Sequence, residues 1–153
     1  MISTDDYLWF VDRTLDQMVA ILDELGDEQA SIQPALPGAN APYGIVSHCL
    51  GVMRSWAGHL VAGRDVVRDR DGELRATGEV KALIKEITDA RVQLRADVAE
   101  ARLDDPLRDA ISAGDAEFPF GKRQGAALFH VYEELAQHLG QLEITRDILI
   151  SQA

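Results

Sequence analysis

The chain has 153 residues, of which 46% are apolar and 27% charged, with a formal net charge of −11. A single domain over residues 1–153 with one substantial core is expected from that length and balance. So acidic a chain is poorly suited to nucleic acid, whose phosphates need a basic surface, and to anionic membranes, so neither is expected as a partner. Cys49 stands alone, which rules out an internal disulfide framework and fits a reducing cytoplasm. The acidic start, MISTDDYLWF, is unlike a signal peptide.

The apolar spacing predicts four helices and no strand. The first opens with Ser3 or Thr4 as N-cap and Asp5 and Asp6 in the first turn. Leu8, Val11, Leu15, Met18, Leu22 and Leu25 follow at steps of three and four, and Gly26 reads as a C-cap. A loop with Pro34, Pro37, Gly38 and Pro42 follows. The second helix is expected from about Tyr43 to Ala62, its apolar face running from Ile45 through Trp56 to Leu60. Gly44, Gly51 and Gly58 share another stripe, where close approach by a neighbouring backbone is expected, because glycine inside a helix costs roughly 1 kcal/mol against alanine. Residues 63–75, rich in charge, read as a polar connection. The third helix is expected over about 79–103 and the fourth from about Gln124 to the end. Residues 104–123, with Pro106, Gly114, Pro119 and Gly121, read as an irregular loop. Four such helices indicate an all-α four-helix bundle.

Within the fourth helix, HVYEELAQHLGQ places His130, Glu134 and His138 four residues apart in succession. Residues four apart stand about 6 Å apart along the axis and can share an ion, whereas residues eight apart are separated by about 12 Å. Glu134 must therefore pair with one histidine. On a wheel of about 100° per residue, Val131, Leu135, Leu142 and Leu149 mark the core side. His138 borders it, Glu134 comes next and His130 lies furthest out, so the inward pair is Glu134 with His138. A third donor would come from the second helix, where His48 and His59 are the remaining histidines. They lie about three turns apart but differ by only about 20° in facing, so spacing leaves the choice between them open. Two histidines and a carboxylate suit a catalytic zinc with open positions, and equally iron, nickel or manganese. Cys49 is turned about 100° from His48 and reads as a small core residue. Arg54, Arg64 and Arg68 could contact a substrate, although solvated surface roles are the plainer reading.

The stretch HVYEELAQHLGQLEITRDIL, residues 130–149, resembles the last helix of the DinB-like superfamily of metal-binding four-helix bundles. GIVSHCLGVMRSWAGHL, residues 44–60, resembles its other ligand helix, and the likeness extends over nearly the whole chain. Glu134, where many members have histidine, is similar to the branch containing mycothiol S-transferases and the N-terminal domain of mycothiol-dependent maleylpyruvate isomerase. The resemblance implies an up-down-down-up bundle with a crossover between helices two and three. It implies His48, Glu134 and His138 as ligands of a divalent metal, zinc first. Gln141 and His130 would be weaker candidates for outer or pocket roles. It further implies a transferase that activates a low-molecular-weight thiol, mycothiol, for attack on an electrophilic small molecule, as in detoxification. The isomerase has an additional C-terminal domain that helps form its active site, so isomerase activity is not expected here. The alternatives are a non-haem iron oxygenase and a non-catalytic metal- or ligand-binding stress protein. A homodimer is an open expectation.

Overall fold

The computed structural model describes residues 2–111 and 122–152; Gly114, Pro119 and Gly121 lie outside them. Ser3 caps α1 (Thr4–Ala30), its hydroxyl accepting from the Asp6 N–H at 3.0 Å. Val11, Leu15, Met18, Leu22 and Leu25 are buried along one face and Leu8 partly so. Gly26 closes the first stretch of winding, as its expected capping role requires. At φ 66° it interrupts the winding, a conformation glycine adopts without a Cβ penalty, and one further turn carries α1 to Ala30. That turn positions Asp27, whose carboxylate accepts the Val80 N–H at 2.8 Å and so satisfies a free donor at the start of α4 (Val80–Ala99).

Pro42 opens α2 (Pro42–Val52), where its missing N–H costs nothing. The helix continues as a π-wound segment, Met53–Val61, and its end is marked by the Ala62 N–H bonding to the Ala57 carbonyl, five residues back, at 2.9 Å. A regular α-helix was expected here. Nothing in the apolar spacing announces the wider turn. The glycine stripe has a steric basis. A Cβ on Gly44 would lie 2.4 Å from the Leu74 carbonyl oxygen, one on Gly51 1.9 Å from a Glu73 oxygen and one on Gly58 2.2 Å from the Arg64 guanidinium. Close approach by backbone therefore holds at Gly44, while side chains fill the space at the other two.

The connection 63–75 is not wholly irregular. It contains α3 (Arg70–Leu74), capped by the Asp69 side chain on the Gly72 N–H at 2.9 Å. This short helix has no buried residue and packs on α2. α4 ends earlier than its apolar pattern suggests, at Ala99. The chain beyond is tied instead to the start of α5 (Gln124–Gln152), the Gln124 amide oxygen accepting the Arg102 N–H at 2.9 Å.

The long helices surround the core in the order α1, α5, α2, α4. Side-chain pairs give their directions. Asp12 with Arg95 and Asp16 with Arg91 make α1 and α4 antiparallel. Phe10 with Tyr132 and Glu24 with Arg146 make α1 and α5 parallel. His48 with His138 and Trp56 with His130 make α2 and α5 antiparallel. Among the described residues there is no strand, only an isolated bridge between Pro106 and Arg123.

Candidate metal centre

The antiparallel contact of α2 with α5 brings His48 to the level of Glu134 and His138. The Glu134 carboxylate oxygen Oε2 lies 3.6 Å from His48 Nε2 and 3.4 Å from His138 Nε2. The two imidazoles meet edge to face, with centroids 4.9 Å apart. One donor atom from each of the three residues lies within 4.8 Å of the others. Two donors bound tetrahedrally to one ion at about 2.0–2.2 Å would stand roughly 3.4 Å apart, so the spacing at Glu134 suits a shared ion. The donor set, two imidazoles and a carboxylate, is also one that divalent transition metals accept.

The outer nitrogens are engaged as well. His48 Nδ1 lies 3.0 Å from Glu73 Oε2, and His138 Nδ1 lies 2.8 Å from the Gln141 amide oxygen. Both acceptors call for a proton on Nδ1, which directs each Nε2 lone pair toward Glu134. Arg68 in turn donates to both Glu73 oxygens, at 3.2 and 3.3 Å.

The electrostatics follow from this crowding. Contacts with the His138 and His48 imidazoles hold the Glu134 carboxyl well below the usual carboxylate range, against an opposing effect of burial. Burial alone would lower the His48 pKa, but Glu134 and Glu73 outweigh it and raise it. Burial likewise works against ionisation of Glu73, and His48 and Arg68 more than offset it, so that its pKa is lowered. Cys49, fully buried beside this group, has its thiol pKa pushed far up, first by burial and then by the Glu134 charge.

His130 occupies a different place from the wheel's prediction. It is not the outermost of the three. Its ring packs on buried Trp56, with centroids 4.3 Å apart, and its side chain is 14% exposed against 18% for His138. Its Nε2 approaches the other Glu134 oxygen at 3.8 Å and its Nδ1 lies 3.1 Å from Glu133. His59 joins neither group. Its ring bonds the Arg64 carbonyl at 2.8 Å and pairs with Asp109 at 3.1 Å, fastening the end of the π segment. The three arginines all have carboxylate partners. Arg54 pairs with Glu86, Arg64 grips buried Asp97 through two bonds and Arg68 holds Glu73.

Glu73 is the residue that sequence reasoning missed. It sits in a segment without apolar periodicity, and its one signal was indirect, the glycine at position 51 that leaves room for its carboxylate. A 590 Å³ cavity bounded by Tyr7, Phe10, Leu128, Phe129 and Tyr132 was also unforeseen. At about 100° per residue, Phe129 and Tyr132 fall on the side of α5 away from Glu134 and His138.

Comparison with known families decides the relationship. Residues 7–150 match the family model described as MST, mycothiol-S-transferase. The chain belongs to the mycothiol-S-transferase family. No match was found among curated proteins or solved structures.

Proposed function

We propose that this member of the mycothiol-S-transferase family is a metal-dependent transferase that joins mycothiol, or a closely related small thiol, to an electrophilic small molecule. The observation that carries the reading is the convergence of His48 Nε2, Glu134 and His138 Nε2 in a chain of this family. His48, Glu134 and His138 would hold a divalent ion, zinc first because the 3.4 Å spacing at Glu134 is that of a tetrahedral site. When bound, such an ion would supply a Lewis acid that favours the thiolate form of a thiol at neutral pH.

The chain's own groups have separable tasks. Glu134 balances the positive charge of the centre and stays ionised at any ordinary pH because two imidazoles face it. Gln141 orients the His138 ring through Nδ1. Cys49 is buried and its thiol is held protonated, so the nucleophilic sulfur comes from the cosubstrate and not from the protein. In the transfer itself the thiol proton passes to solvent, a sulfur–carbon bond forms, and the bond from that carbon to its leaving group breaks, the leaving group departing with the electron pair. A reducing compartment such as the cytoplasm would keep the thiol cosubstrate available. The family match favours thiol transfer over oxygenase chemistry, although iron would accept the same donors.

The test is conjugation of mycothiol to a chromogenic electrophile by zinc-loaded protein, with a chelator arm and a Glu134→Ala arm. Turnover above background that both arms abolish is expected. Equal rates with and without chelator, or a Glu134→Ala protein with full metal content, would refute the reading.

A further inference from the structure

The strongest unassigned feature lies behind His48, where three parts of the chain meet around one nitrogen. The Glu73 carboxylate, from α3, is 3.0 Å from His48 Nδ1. Arg68 Nη2 is near the same nitrogen, but at 3.5 Å it is the more distant partner, and its stronger contacts are the two bonds to Glu73. Gly51 supplies the space. Any Cβ there would overlap the Glu73 carboxylate at 1.9 to 2.6 Å. On the other side of the ring, Glu134 is 3.6 Å from Nε2, beyond hydrogen-bonding distance.

A neutral imidazole carries one proton, and the competition for it is uneven. An ionised carboxylate only accepts, so the closer carboxylate draws the proton to its own side. We propose that Glu73, clamped by Arg68 and admitted by Gly51, is a positioning residue that holds the His48 proton on Nδ1, and so keeps the Nε2 lone pair aimed at Glu134 and His138 before any ion arrives. This rests on the reading that those three residues hold the ion. It adds that the loop between α2 and α4 sets the affinity for that ion, since an outer carboxylate both orients a histidine and raises its basicity.

Glu73 can be changed without opening a sealed void, because its side chain borders a 360 Å³ cavity shared with Ser47, Arg54 and Thr77. Two measurements test its role. The first is long-range proton–nitrogen correlation of ring-labelled histidine in the metal-free protein, with His48 neutral. The wild type should show the Nδ1–H form, and Glu73→Ala should move His48 toward Nε2–H. Glu73→Gln, whose amide oxygen still accepts, should preserve Nδ1–H. The second is zinc affinity by competition with a chromogenic chelator. Glu73→Ala should weaken it about 10- to 100-fold. Gly51→Ala should weaken it in the same direction by displacing the carboxylate, and the double variant should be no weaker than Glu73→Ala alone, because both changes remove one interaction.

An unchanged His48 tautomer in Glu73→Ala would overturn the proposal. So would losses from Gly51→Ala and Glu73→Ala that simply add. If the wild type bound no zinc, the metal reading would fall, and the tautomer measurement on metal-free protein would still decide the role of Glu73.

Discussion

At the scale of single residues, the candidate centre is a case of one group answering several neighbours. Glu134 lies against His48, His138 and His130 at once, so its removal takes one shared carboxylate from three imidazoles. Tyr7 is the opposite case. Among the described residues its hydroxyl is the buried side-chain polar atom with no hydrogen-bond partner, and burial pushes its pKa far above that of an ordinary phenol. An unsatisfied buried polar group costs about 1–3 kcal/mol. Tyr7→Phe should therefore leave stability unchanged or raise it by up to about 1 kcal/mol in denaturant unfolding; a loss of more than that would show that the hydroxyl has a bonded partner. How far such residues were legible differs in kind. That Glu134 pairs with a histidine four residues away follows from helical rise, and the choice of His138 over His130 rested on facing. His48 does not follow from spacing, since an unbroken helix over 43–62 gives His59 nearly the same facing, and only the packing of α2 against α5 separates them. His130 was misjudged because a wheel knows nothing of the Trp56 ring that covers it.

At the scale of elements, the apolar stripe of α1 located that helix: Val11, Leu15, Met18, Leu22 and Leu25 are buried as the spacing names them, Leu8 is only partly so, and Thr14 and Ile21 are buried beside them without being named. The irregular parts escaped, each for a local reason. Gly26 allows a break followed by another turn, the π winding after Val52 leaves no trace in hydropathy, and α3 is nucleated by the Asp69 side chain, not by an apolar face. The glycines give a matched pair of predictions. Gly44→Ala sets a methyl 2.4 Å from a backbone carbonyl oxygen of α3. It should cost about 1–3 kcal/mol, the usual penalty of overpacking. Gly140, inside α5, has nothing within 4 Å of a built Cβ. Gly140→Ala should instead stabilise by roughly 0.5–1 kcal/mol through helix propensity. Thermal unfolding of the metal-free variants checks both, and a stabilised Gly44→Ala would mean that α3 yields freely.

For the whole molecule, the helices that carry His48 and Glu134 are antiparallel neighbours, so an ion held between them would join residues 48 and 134 across the fold. Binding to the folded chain alone should raise its stability by about 2.7 kcal/mol at zinc a hundredfold above the dissociation constant. In a chain of this size that is an upward shift in Tm of roughly 5–10 °C. Differential scanning calorimetry with and without zinc should show it for the wild type and not for Glu134→Ala; equal shifts in both would place the ion elsewhere. No helix among the described residues is long and apolar enough to cross a membrane.

The support of His48 comes from a five-residue helix with no buried residue. α3 buries no residue, and its packing on α2 and the Glu73 pairing with His48 are among the contacts that hold it. Elements of that kind open at a small fraction of the free energy of global unfolding. Each opening of Arg70–Leu74 would carry Glu73 away from His48. The backbone amides of α3 should thus exchange with deuterium well ahead of those in α1 and α5, and slow when zinc is added. Five residues at the surface would then act as a local clock for metal residence, read by exchange rates without any turnover assay.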